Sequence, residues 1–192
     1  MIVRRTAGLH QRFLASTRGV AAIEFAIILP ILVTLFLASV DAARAIAIYT
    51  KVRAATYALG AITNQYATIQ STDMLAILGA TSVVLAPYSS SPVVVVISQI
   101  KVTSATKAQV NWSATLNGTA LTQTSSVTVP TNFASCSSYP CYLIYGQVSY
   151  TYTPLFTSFA KSAFTLSDSL YVTPRSTECI LYPPQNITSS PC

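Results

Sequence analysis

The stretch Val20–Val40 reads VAAIEFAIILPILVTLFLASV, 21 residues of which one, Glu24, is charged. At about 1.5 Å rise per residue, a helix of that length crosses a hydrocarbon core of roughly 30 Å. The run is therefore a transmembrane candidate. A carboxylate close to a bilayer costs several kcal/mol unless it finds a partner, so Glu24 is a functional residue by expectation. The nearest candidate partner is a newly made N-terminus. If a peptidase cuts after Gly19, an α-ammonium appears on Val20, one helical turn from Glu24. In an assembly of such helices, Glu24 of one subunit neutralises Val20 of the next and sets their axial register.

The residues before the run are basic. Arg4, Arg5, Arg12 and Arg18 precede Gly19, four of the 11 Lys and Arg in the chain. Basic flanks favour the cytoplasmic side, so the expected orientation is N-terminus inside and everything past about Val40 outside. Two other readings stay open here. A cleaved secretory signal has the same basic start, with small residues around Ala38–Ala42 as its cleavage site, but its apolar region is shorter and holds neither a Glu nor a Pro. An uncleaved signal anchor makes Glu24 incidental. Arg4-Arg5 as a twin-arginine signal is weaker, because no apolar pair follows at the right place.

The segment Arg18-Gly19-Val20-Ala21-Ala22-Ile23-Glu24-Phe25-Ala26-Ile27-Ile28-Leu29-Pro30 resembles the type IV prepilin processing site, a glycine, four apolar residues, then Glu and an aromatic. More specifically it is similar to the TadE/TadG-like proteins of tight-adherence, or Flp, pilus systems. Softer matches to short TadE-like chains are Leu85-Ala86-Pro87-Tyr88-Ser89-Ser90, Val110-Asn111-Trp112-Ser113 and Val148-Ser149-Tyr150-Thr151-Tyr152-Thr153-Pro154-Leu155-Phe156. The resemblance implies a processing and assembly motif at Gly19, Val20, Glu24 and Phe25. It implies as partners a prepilin peptidase, pilin and pseudopilin subunits, and the inner-membrane assembly platform. The implied location is the bacterial inner membrane, single-pass, with a periplasmic head and possible incorporation into the pilus used in cell adhesion. Some family members are processed and some larger ones are not; this chain has the short form's length and an intact motif.

Composition agrees with a membrane-anchored chain, since 8% of residues are charged against about a quarter in ordinary soluble domains. The net charge of +6 does not read as nucleic-acid binding, because residues 54 to 192 hold only Lys101, Lys107, Lys161 and Arg175, well spread. Cys136, Cys141, Cys179 and Cys192 all fall on the expected outer side, where an even number reads as disulfides. Three pairings are open; Cys136 with Cys141 and Cys179 with Cys192 are preferred because both close short, Pro-containing loops. Neither pair has zinc-knuckle spacing, and the one histidine, His10, lies on the other side of the membrane, so no metal or other cofactor is expected.

Past the span the helix continues by pattern. Asp41 and Arg44 form a plausible pair one turn apart, and Ile48, Val52, Ala55, Leu59, Ile62 and Tyr66 recur at alternating spacings of four and three, forming one apolar stripe. Lys51, Thr56 and Asn64 fall largely off that stripe. A helix from Val20 to about Ala67 is roughly 70 Å long, and Pro30 is a tolerated kink within it. Gln70-Ser71-Thr72 carries N-cap chemistry, with Asp73 in the first turn of a short helix ending before Pro87. Strands are expected at Val93–Val102, Ala108–Ala114, Val127–Pro130, Tyr142–Tyr152 and Phe164–Thr173, with a turn at Asn117-Gly118. The fold expected is α+β and pilin-like, a long N-terminal helix packed on an antiparallel sheet. Its parts are a basic leader (1–19), a transmembrane and extended helix (20–67) and a head domain (68–192).

Catalysis has little footing. The acidic residues after Lys51 are Asp73, Asp168 and Glu178, no histidine follows His10, no serine sits in a nucleophile elbow, and no glycine loop cradles phosphate. Tyrosines 142, 145, 150 and 152 raise the idea of a carbohydrate or adhesion surface, but their spacing fits strand faces better. The Asn-X-Ser/Thr triplets at Asn111, Asn117 and Asn186 read as chance in a Ser/Thr-rich chain. The function expected is a structural minor pilin or pseudopilin; the alternative is an uncleaved, membrane-anchored binding or adhesion module.

Overall fold

The computed structural model describes residues 18–134, 136–156 and 162–183. Helix α1 spans Arg18–Thr63 without interruption at Pro30. The chain divides between Ala43 and Arg44 into two compact units, each described by itself.

In the first unit every residue from Gly19 to Phe36 is exposed. Ile23, Phe25, Ile27, Ile31, Leu35 and Phe36 each leave more than half of their surface uncovered. A soluble helix turns such side chains onto a core; here they surround the helix on all sides, the pattern of a segment solvated by lipid. Backbone polarity is handled within the helix. The hydroxyls of Thr34 and Ser39 donate to the carbonyls of Ile31 and Phe36, each at 2.7 Å, which leaves no hydroxyl proton unpaired in an apolar medium. Among the described residues this is the one helix long and apolar enough to cross a membrane.

The second unit is a five-stranded antiparallel sheet with its two longer helices on one face. Its strands are β1 (Val93–Ser104), β2 (Lys107–Leu116), β3 (Ser126–Val127), β4 (Cys141–Tyr152) and β5 (Phe164–Val172), in the order β3-β2-β1-β4-β5. The stripe of α1 lies against it as its periodicity predicts. Ile48, Val52, Ala55 and Leu59 are buried, and Ile62 and Tyr66 pack partly buried beside them. They meet Val93, Val95 and Ile97 of β1, Trp112 and Ala114 of β2, and Ile144, Val148 and Tyr150 of β4. Gly146 makes room for this approach: a Cβ there would stand 3.4 Å from Leu59 Cδ2. Helix α2 (Ser71–Leu85) adds Met74, Ile77, Leu78 and Leu85 to the same core. Its first turn is capped as expected, the Gln70 N–H donating to Asp73 Oδ2 at 3.0 Å, so an otherwise unpaired donor is satisfied beside a favourable negative charge.

Several details differ from the pattern in the sequence. Helix α1 stops at Thr63 rather than near Ala67, because the chain beyond it is taken up by a C-terminal strap. The Arg175 N–H donates to the Asn64 carbonyl (3.0 Å), and Leu181 exchanges bonds with Ala67 and Ile69 (3.0 and 2.9 Å). Thr56 and Asn64, placed off the stripe by periodicity, are buried. Thr56 tolerates this because its hydroxyl donates to the Val52 carbonyl at 2.9 Å, removing the cost of an unmade bond.

The sheet has a second apolar face. Ile100 and Val102 of β1, Ala108 and Val110 of β2, and Leu143 of β4 form a smaller buried cluster, covered by Val127, Val129, Cys136 and Cys141 with Tyr145 and Tyr171 alongside. The alternation Ala108, Val110, Trp112, Ala114 looks like one face of one strand. However, Gln99 pairs with Trp112 while the next residue, Ile100, pairs with Val110, so Asn111 is an extra residue in β2. The bulge flips the pleat. Ala108 and Val110 serve the second cluster, and Trp112 and Ala114 serve the helix-side core.

Candidate functional site

The motif residues lie at the start of the described part of the apolar helix. Gly19 follows Arg18, the first described residue of α1, and a Cβ at this position would meet nothing within 4 Å. Neither left-handed backbone nor close packing demands glycine there, since no glycine among the described residues has positive φ. Val20 is 54% and Phe25 59% exposed. Glu24 is exposed as well, four residues after Val20 and hence on the same side of the helix one turn on. The arrangement is an exposed glycine followed, one turn past Val20, by a carboxylate on an otherwise apolar helix surface.

The cysteines separate into two locations. Cys136 and Cys141 are joined by a disulfide with a Cα separation of 6.3 Å. Cys179 is buried at the base of the strap, and its preferred pairing with Cys192 concerns a residue outside the described ones. The leader residues 1–17, with their arginines and His10, also lie outside them. Among the described residues no three His, Cys, Asp or Glu side chains gather as metal ligands.

The tyrosines are packing residues for the most part. Tyr150 and Tyr152 are buried in the helix-side core, and Tyr142 is buried with the Lys101 ammonium 5.8 Å from its ring centroid. Tyr145 stacks on Tyr171 (centroids 5.0 Å apart), which stacks on Phe133 (5.5 Å). Burial raises the Tyr145 phenol above its ordinary value, partly offset by a hydrogen bond with Ser169. Burial, then the neighbouring Tyr145, raise Tyr171.

The sequence reading missed one group on the outer face of α1. Tyr49, Arg53 and Tyr57 are exposed at one-turn intervals, and hydrogen bonding to Tyr57, then electrostatic interaction with Tyr57, Tyr49 and Asp168, raises the Arg53 guanidinium above its ordinary value. The spacing of four was visible; the approach of Asp168 from β5 was not.

These features define a class: a chain whose described residues hold one apolar helix of membrane-spanning length, near the N-terminus, that continues into an α+β head. Over residues 19–59 the chain matches the family described as TadE-like protein. The matched segment starts at Gly19 and ends at Leu59, the last fully buried stripe residue of α1, so it takes in the motif, the apolar run and the head-facing helix and leaves the sheet outside. Comparison with curated proteins gives no match, and comparison with solved structures gives none.

Proposed function

We propose that the protein is a minor pilin or pseudopilin-like structural subunit that helps assemble a Flp, or tight-adherence, type IVb pilus, and that a prepilin peptidase processes it after Gly19. The observation that carries this reading is where the family match falls on the helix. The TadE-like match begins at Gly19, and Glu24 stands exposed one turn past Val20 on an otherwise apolar helix.

Cleavage there removes the basic leader and creates the Val20 α-ammonium. Within lipid a lone carboxylate is unfavourable, and an opposite charge from a neighbour offsets that cost. Pairing Glu24 with the Val20 terminus of an adjacent subunit therefore favours assembly and fixes the register of the helices. The partners in this reading are the peptidase, pilin and pseudopilin subunits, the inner-membrane platform and the surrounding lipid. The leader lies in the cytoplasm and the head in the periplasm, and the role is structural rather than catalytic.

Intact mass and N-terminal sequencing of the membrane-extracted protein, from a host with its own prepilin peptidase, test the proposal. A start at Val20 supports it. A start at Met1 replaces it with an anchored module, and a start after Ala42 replaces it with a secreted domain.

A further inference from the structure

The second apolar cluster has a thin cover. Among the described residues, the chain from Asn117 to Pro140, which lays Val127, Val129 and Cys136 on the cluster, holds the two-residue β3 and the four-residue helix α3, Thr131–Ala134. Strand β3 pairs with β2 at Ala108 and Gln109 alone. Around it, Val110 donates to the Ser125 carbonyl (3.0 Å), Thr124 to the Val110 carbonyl (2.8 Å) and Phe133 to the Pro130 carbonyl (2.9 Å). Beneath lie Ile100, Val102, Ala108, Val110 and Leu143, on the face of the sheet opposite α1 and α2. The far end of the cover is tied by the Cys136–Cys141 disulfide to the first residue of β4. Both sulfurs belong to partly buried residues packed on the cluster, whereas Ser137, Ser138, Tyr139 and Pro140 between them are exposed.

We propose that the Cys136–Cys141 disulfide is a redox clasp that holds the 117–140 cover over the second core, so that the head is complete only in an oxidising compartment. The bond joins the end of the cover to the first residue of β4, so the clasp acts locally. It keeps the segment closed over apolar strands. Opening it takes a dithiol: one thiolate attacks a sulfur of the bond and forms a mixed disulfide, and the second displaces the protein. The dithiol is oxidised to its own disulfide, and Cys136 and Cys141 take up two electrons and two protons as thiols. The exposed 137–140 loop gives that reagent access. The helix-side core shares no residue with the second cluster, so opening leaves α1, α2 and the main face of the sheet in place. This inference does not depend on the pilus reading.

The test is amide hydrogen exchange on the full-length protein in detergent, comparing wild type with Cys136→Ser/Cys141→Ser, which leaves Cys179 untouched. Peptides covering Gln123–Phe133 are expected to exchange about tenfold faster or more in the variant, while Val52–Thr63 and Val93–Ile97 keep their protection. Unchanged exchange in the cover overturns the proposal, and so does equal acceleration of α1 and the cover, which makes the disulfide a support of the whole head. Should the variant resist purification, Cys136→Ala/Cys141→Ala is read on the same peptides with the same outcomes.

Discussion

Gly60 of α1 lies directly against Leu170 of β5: a Cβ at Gly60 would stand 2.7 Å from Leu170 Cδ1, with Val172 Cγ2 at 3.5 Å. Glycine in a helix interior costs about 1 kcal/mol relative to alanine, so its presence here reflects how closely the helix approaches the sheet edge.

Gly60→Val should therefore destabilise the head by about 1–3 kcal/mol through overpacking, read as a lower urea midpoint in detergent. Adding Leu170→Ala should restore part of the loss, because the obstructing atoms belong to that side chain. Equal stability of Gly60→Val and wild type would show that the two elements separate at no cost.

Trp112 anchors the strap: its indole Nε1 donates to the Ile180 carbonyl at 2.9 Å, both residues being fully buried. Trp112→Phe keeps most of the ring but leaves that carbonyl unpaired, a loss of about 1–3 kcal/mol. Amides of Ile69 and Leu181, which bond across the strap, should lose protection first. Retained protection at both would mean that the strap is held without the indole.

Gly19→Leu should block removal of the leader while leaving the head folded, since a side chain at Gly19 meets nothing within 4 Å. The check is gel mobility and intact mass in a host with the peptidase. Mobility matching the processed wild type would count against Gly19 as the processing site.

Glu24→Ala makes the span more apolar, so membrane insertion should persist. Assembly should fall by about an order of magnitude, in line with about 1–2 kcal/mol for a polar contact between helices in lipid. Normal piliation with this substitution would remove the Glu24–Val20 pairing from the account.

Tyr145 and Tyr171 are both raised by burial, so the folded head favours their neutral forms. With folded values above the unfolded value of about 10, their contribution is complete below that pH and is lost as pH climbs through the raised values. Ultraviolet titration should show late-ionising phenols that disappear in Tyr145→Phe/Tyr171→Phe. An unaltered alkaline profile in the double variant would contradict the assignment.

Much of this was legible from local sequence. The uncharged run around Glu24 defines a membrane-length helix whatever its neighbours, because the cost of charge in lipid acts residue by residue. The stripe Ile48, Val52, Ala55, Leu59 names the buried face of α1, because the helical repeat fixes which side chains share a side. The β-branched and aromatic runs mark the strands to within a few residues. Other features depend on which strand pairs with which. The bulge at Asn111 sends Val110 and Trp112 to opposite faces although their spacing says otherwise, and only the register against β1 decides that. Thr56 lies buried because its hydroxyl finds a carbonyl within its own helix. The strap ends α1 at Thr63 by supplying partners from more than a hundred residues away. Sequence by itself determined the elements and the apolar span, since periodicity and hydropathy are local. The tertiary structure alone decided the two-sided core, the strap and the closeness of Gly60 to Leu170, since hydrogen-bond register and packing are settled between segments far apart in the chain.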